Sequence, residues 1–253
     1  MTALPLRRTL LLVLGAAAVP AMSEAQQGYL FRLPAVTVSL RAGAAFPAAN
    51  DEIHRFFTDT LTLDRSDFYS STFGGDVAIR VNPRIDLTVG LSHARVKKGS
   101  EFRNWVHSDN DNDDSNDRPI EQTTLVKRTP LTVGARYFLL DRGRKVGNLA
   151  WVPTSFAPFI GAAVGRTWYT LEQEGEFVDV ETLDIFVDQL HSSGSSDQVH
   201  VMGGAEWWVH PQFGFSAEAR YSWGSAPLNE SYRAFHEINL RGFQITAGFA
   251  TRF

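Results

Sequence analysis

The chain has 253 residues, with 24 Lys and Arg against 28 Asp and Glu, a net charge of −4, 43% hydrophobic and 12% aromatic side chains, and no cysteine. Disulfides, thiolate metal centres and cysteine nucleophiles are thereby excluded. The mild acidity argues against a nucleic-acid surface, and the length allows one domain.

At the N-terminus Arg7 and Arg8 precede an apolar run from Leu10 to Val19, followed by small residues around Ala21 and Ser23 to Ala25. This is the order of a cleaved signal peptide, and the run is shorter than the roughly 20 residues a spanning helix needs. Cleavage is expected after Ala25, with Ala21 as the alternative, leaving residues 26–253 as one domain. The remainder holds 22 Lys and Arg against 27 Asp and Glu, and no apolar stretch of 18 residues. Any membrane span must therefore be made of strands.

Eight segments then alternate apolar with small or polar side chains at a period of two, which sends the two sets to opposite faces of a strand. The first covers Val36 to Phe46, with Val36, Val38 and Leu40 opposite Thr37, Ser39 and Arg41. The second covers about Ser70 to Val81 and turns tightly at Asn82-Pro83-Arg84, since proline cannot sit in a central strand. The third, Ile85 to Val96, alternates most cleanly, and the fourth covers about Thr123 to Leu139. A connection over 141–155 leads to the fifth, Phe156 to Glu172, whose facing is ambiguous because Ile160, Ala162 and Val164 are nearly matched by Phe159, Gly161 and Ala163. The sixth runs from about Asp197 to Val209 and turns at His210-Pro211-Gln212. The seventh is Phe213 to Trp223, and the eighth runs from near Glu237 to the terminal Phe253.

Connectors alternate in length: short between strands 2 and 3 and between 6 and 7, moderate between 4 and 5. Residues 47–69, 97–122, 173–196 and 224–236 read as long polar loops. Short turns on one side and long loops on the other, with an aromatic last residue, predict an all-β fold: an eight-stranded antiparallel up-and-down transmembrane β-barrel, apolar outside and polar inside. Phe46, Tyr69, Tyr137, Trp168, Tyr169, Trp207 and Trp223 fall near strand ends, where rings suit a membrane interface. A soluble β-sandwich would explain the alternation but not the loop asymmetry or these rings.

The chain resembles the small outer-membrane β-barrel proteins of Gram-negative bacteria, the OmpA/OmpX-like group, over the whole mature sequence. In that group the last strand carries an assembly signal; Thr246, Gly248 and Phe253 match it, while Thr251 stands where a hydrophobic residue is usual. The resemblance implies export to the cell outer membrane and recognition by the barrel-assembly machinery.

So narrow a barrel fills its interior with side chains. The inward set is expected to include Arg41, Asp76, Arg80, Asp86, Arg136, Glu206, Glu218, Arg220 and Arg252, whose opposite charges can pair, as charges out of water require. The plain reading is a polar plug; the sharper one is a narrow conduit for small, even hydrophobic, solutes.

In the loop between strands 3 and 4, the run Asp109 to Asp117 is dense in hard oxygen ligands suited to calcium or magnesium. Asp109, Asp111, Asp113, Asp114 and Glu121 are the candidates, but neither EF-hand register fits: Ser115 replaces the glycine in one, and Ile120 takes the twelfth position in the other. Such a run commonly serves as a solvated loop. No cofactor is implied.

Ser92 and His93 are neighbours on a strand and point apart, while His191 and Ser193 have same-face spacing in a Gly/Ser-rich stretch. His54, His107, His200, His210 and His236 show no nucleophile partner, although His54 and His236 could approach across the outer rim. The expectation is a non-enzymatic barrel, with a lipid A-modifying enzyme as a further alternative. Lys97, Lys98, Arg103, Arg118, Lys127 and Arg128 flank the outer ends of strands 3 and 4, where lipopolysaccharide phosphates would sit. The favoured reading is an envelope-structural or surface-interaction role, with the loops offered to an extracellular ligand.

Overall fold

The computed structural model describes residues 30, 32–108, 117–147, 150–179, 182 and 184–253. The expected signal segment and the run 109–116, with four of the five metal candidates, lie outside the described residues. Period-two alternation becomes eight barrel strands: β1 Val36–Pro47, β2 Ser70–Arg80, β3 Ile85–His107, β4 Arg118–Phe138, β5 Phe156–Val178, β6 Ile185–Trp208, β7 Phe213–Trp223 and β8 Gly242–Arg252. Each pairs antiparallel with its chain neighbours, and β1 closes the ring on β8. Arg41 of β1 lies between Gly74 of β2 and Gly248 of β8. The seam is close there: a Cβ at Gly248 would collide with the carbonyl oxygen of Leu40.

The two faces separate by polarity. Leu40 and Phe249 are 68% and 69% exposed on the outside, with Phe73, Val89, Leu91, Val133 and Ile245 in the same belt. Inside, Ser39, Asp76, Thr88, Arg136 and Glu218 are buried. An apolar exterior around a polar interior is the surface of a membrane-spanning barrel. The ambiguous strand is resolved as well: Ile160 and Val164 face out, while Phe159 and Ala163 join Phe138, Ala157 and Met202 in an inner apolar layer. Contacts inside the lumen hold this facing: the Phe138 and Phe159 rings lie 5.7 Å apart, and the Arg136 guanidinium sits 4.8 Å over Phe159.

Three loop expectations change. Residues 97–107 and 118–122 continue β3 and β4, and 173–178 and 185–196 continue β5 and β6. These four strands have 21 to 24 residues against 11 or 12 in the others. A tilted span takes about 9–11 residues, so β3 to β6 project as a four-stranded sheet beyond the bilayer. Above the membrane no lipid selects apolar residues on the outer face, so the alternation fades while backbone pairing continues. The 141–155 connection also holds a small hairpin, Gly143–Val146 with Ala150–Pro153.

The 47–69 loop contains a helix, α1 (Glu52–Thr60). Asp51 caps it by accepting the His54 backbone N–H at 2.9 Å, and Ile53 and Phe57, one turn apart, share its buried face. Nine residues form a marginal helix alone; tertiary packing holds this one. Loop 1 also covers the free edge of β3, where Thr62 N–H donates to Glu101 O at 2.8 Å. On the other side the loop 224–236 covers β6, with Asn229 N–H on Ser192 Oγ at 3.0 Å. Both exposed edges of the projecting sheet are thus partly paired, which protects them from adding foreign strands.

Candidate functional site

The lumen is filled in layers. At mid-height Arg136 sits between two carboxylates, with Nη2 donating to Glu218 Oε2 at 2.9 Å and Nη1 lying 2.8 Å from Asp76. Arg220, two residues from Glu218 on the same inward face, donates to its other oxygen at 2.8 Å and 3.1 Å. Arg41 completes the layer against Asp76 and, at 3.5 Å, Glu218. Asp76 is held by charge contacts rather than by aligned hydrogen bonds.

The other four expected lumen residues lie toward the short-turn end, and only one of them finds an ion-pair partner among the described residues. Asp86 pairs with Arg142 at 2.7 Å, and Glu206 accepts from the Trp208 indole at 3.1 Å. Arg252 donates to Pro211 O at 2.6 Å and lies 3.8 Å over Trp208 and 4.9 Å over Trp151. Arg80 also faces Trp151, at 5.3 Å. The expected single charge network is therefore five residues, with a separate cation–aromatic layer beneath it. Indole faces attract guanidinium groups where carboxylates are too few.

Sequence reasoning missed Arg142 and Trp151, because both fall in a segment without strand alternation. Arg142 is buried, also donates to Pro83 O and Asn82 O, and covers the Phe138 ring at 4.1 Å. The available signal was its place four residues after inward Phe138. Trp151 is buried, with the Arg80 and Arg252 guanidinium groups over its indole.

The outer mouth is closed by apolar packing. Ile53 and Phe57 of α1, Leu61, Leu63 and Phe68 cluster with Tyr232, Ile238 and Leu240 of the last loop and with inward Val126, Tyr169 and Leu171. Tyr169, expected at a membrane interface, is 2% exposed and hydrogen-bonds to Ser192 and Pro227 O. Asp51 braces both loops, bonding His54 and the Asn239 backbone. Burial pushes its carboxyl up, and the His54 and Asn239 hydrogen bonds more than offset this, holding it below the usual carboxylate range. Between cap and charge layer a cavity of about 60 Å³, lined by His200, Gln198, Arg220 and Gln244, is room for a few waters.

The projecting sheet is held inside by Gln122 and Gln173 and at its rim by His107 and Glu176, 3.0 Å apart. Its far end exposes Trp105, Val106, Phe186 and Val187, the last 78% exposed, with Phe186 stacked on Phe177 at 5.9 Å.

The cations expected to face phosphate divide. Lys98 pairs with Asp67 at 3.0 Å, and Arg103 donates to Thr58 O and Leu63 O, fastening loop 1. Arg128 turns inward to Asn239 O at 3.3 Å, and Lys127 stands 3.7 Å from Glu172, while Lys97 and Arg118 are exposed. Of the histidines, His93 meets Thr129 Oγ1 at 2.9 Å and exposed His191 faces Glu172 at 3.6 Å. His54 is buried against Asp51, whereas His236 faces Glu52 at 3.5 Å, so each has a carboxylate neighbour of its own. Glu121 is exposed, and no group of three His, Asp or Glu suited to a metal occurs among the described residues. Thr246 points inward over Glu218 O, Gly248 lies in the β1 seam, and Phe253 is exposed while its N–H pairs with Val36 O at 2.9 Å.

No protein-family model matches the chain, and no curated protein matches it in sequence. In fold it is similar to small outer-membrane β-barrels of Gram-negative bacteria. Outer membrane protein OprG from Pseudomonas aeruginosa is 13% identical, with 87% of this chain and 97% of that one covered and a TM-score of 0.49. Neisserial surface protein A is 14% identical over 86% and 96%, at 0.44. The outer membrane protease OmpT from Escherichia coli is 11% identical over 89% and 98%, at 0.32.

Proposed function

We propose that this chain is a closed, non-enzymatic barrel of the outer membrane that displays its projecting sheet to an extracellular ligand. The observation that carries the reading is the layered filling of the lumen, which leaves the exposed end of β3 to β6 as the part available for contact. Trp105 and Val106 on one edge strand and Phe186 and Val187 on the other are exposed apolar side chains held on a rigid scaffold. His93 and His191 engage Thr129 and Glu172 rather than a serine, in keeping with a non-enzymatic role. Residues 1–25 serve as the cleaved signal, and Thr246, Gly248 and Phe253 as the segment read by the barrel-assembly machinery. The lipid partner of the outer face is lipopolysaccharide.

Single-channel recording on the refolded protein in a planar bilayer tests the closed lumen. A silent bilayer with folded barrel is the expected result; conductance steps altered by Arg136→Gln or Glu218→Gln would overturn it. Loss of surface binding by cells carrying Phe186→Ser with Val187→Ser is expected alongside, with barrel levels unchanged.

One observation favours the narrow conduit as a second reading. The β3–β4 ladder pairs Leu91 with Leu131 and resumes at Ala94 with Arg128, so Ser92 and His93 stand beside Pro130 and Thr129 outside the pairing. Pro130 has no N–H to offer. A solute path through this wall would appear as uptake that Pro130→Ala reduces without any bilayer conductance.

A further inference from the structure

The lipid-facing wall is not uniformly filled. Across β8, β1, β2 and β3 it carries a groove of about 700 Å³. Small outward residues make its floor: Ala42 pairs with Ala247, and Gly75 stands between Leu40 and Leu91. Larger neighbours, Leu40, Phe73 and Phe249, make its sides. At its outer end lie His93 and Thr129, joined side chain to side chain.

Two residues further out on the same face, Arg95 of β3 stands directly opposite Lys127 of β4. Like charges facing each other across a ladder are destabilising. No carboxylate pairs with Arg95 among the described residues, and Lys127 has only Glu172, at 3.7 Å. Lys97, the next outward residue on β3, is exposed and adds a third cation. From mid-membrane outward the order is apolar groove, polar collar, facing cations.

We infer that this wall is a binding site for one phosphate-bearing lipid of the outer leaflet. An acyl chain lies over Ala42, Gly75 and Ala247, and the phosphate sits between Arg95 and Lys127. The groove explains where the chain goes, and the anion removes the repulsion that the ladder otherwise carries. Charge-assisted contacts with two cations favour phosphate over a neutral headgroup. The site deepens the membrane reading above and rests on it, but it needs neither the closed lumen nor a ligand for the projecting sheet.

Native mass spectrometry of the full barrel, released from detergent after incubation with bis-phosphorylated lipid A, tests the site. Its dephosphorylated form and inorganic phosphate serve as comparison probes. One retained lipid A per barrel is expected. Retention should fall about tenfold in Arg95→Gln/Lys127→Gln, and likewise in Ala42→Phe, which fills the groove without adding charge. Heat-modifiable migration on gels shows that each variant is folded, so a loss of lipid is separable from a loss of the barrel. Unchanged retention in both folded variants would overturn the inference. So would equal retention of the dephosphorylated lipid, which means apolar solvation alone, equal binding of inorganic phosphate, or a two-chain complex that the Ala42→Phe change disrupts. Each of those outcomes leaves the membrane barrel itself standing.

Discussion

Arg136 and Glu218, 82 residues apart in the chain, meet at 2.9 Å inside the barrel with side chains 1% and 3% exposed. Asp76 on the other side of Arg136 makes the arginine a cation shared by two buried carboxylates, as Arg41 also is. The barrel's middle layer depends on it.

Arg136→Met should therefore destabilise strongly. Removing one member of a buried charge group costs up to about 3–5 kcal/mol, and here Glu218 would keep Arg220 and Arg41 while Asp76 would keep Arg41 alone. Urea unfolding in lipid vesicles, followed by loss of heat-modifiable migration, measures it. Arg136→Lys, which keeps the charge, should recover part of the loss. No recovery would mean that packing against Phe159, 4.8 Å from the guanidinium, matters more than charge.

Phe57→Ala should loosen the outer cap without opening the pore. Truncating a buried phenylalanine costs about 3–5 kcal/mol, and the cavity would fall among Ile53, Phe68 and Leu61. Hydrogen exchange over residues 52–60 should accelerate, while a planar bilayer stays silent because the Arg136 layer below is intact. Conductance steps in this variant would assign the closure to the cap instead.

Trp151→Ala should free the inner hairpin. Its indole is the surface on which Arg80 and Arg252 rest, at 5.3 Å and 4.9 Å. Trypsin should cut after exposed Arg144 or Lys145 faster than in the unaltered protein, with barrel migration preserved. An unchanged digestion rate would show that the pairing of Gly143–Val146 with Ala150–Pro153 holds the hairpin without the indole.

Acid should release α1. The Asp51 carboxyl is lowered from its ordinary value of 3.8, so it binds its proton more weakly folded than unfolded. A depressed carboxylate contributes stability that is fully present above the unfolded value and is lost as pH falls through the folded one. Protection of α1 amides should thus be flat from pH 7 to about 5 and decline below about 4. Asp51→Ala should remove that decline and cost about 1–2 kcal/mol at neutral pH, the range for a lost N-cap.

Strand faces were legible because they are local. Leu87, Val89 and Leu91 against Asp86, Thr88 and Gly90 report their own orientation whatever they pair with. The inward positions of Arg41, Asp76, Arg136 and Glu218 follow from the same count. The ion pairs were not legible, since Asp86 meets Arg142 rather than Arg136, its cross-strand neighbour in the ladder. Which charge a side chain reaches depends on its length and on what crosses the lumen, and neither has a period.

Residues 97–107 and 185–196 show the limit from the other side. They remain in strands after the hydrophobic alternation has ended, because hydrogen bonding to a neighbour, not a membrane, keeps them extended. The cap is similar: α1 is held by Tyr232 and Ile238, nearly two hundred residues away in sequence.

Local pattern specified the number of barrel strands, the two faces of β1 to β4, β7 and β8, the sides of the short turns and the polar character of the lumen, because alternation and proline turns act over a few residues. The facing of β5, the height of the projecting sheet, the packing of α1 into the outer mouth and the meeting of Arg95 with Lys127 came only with the assembled barrel. Those depend on register and volume, which exist only once distant strands are placed side by side.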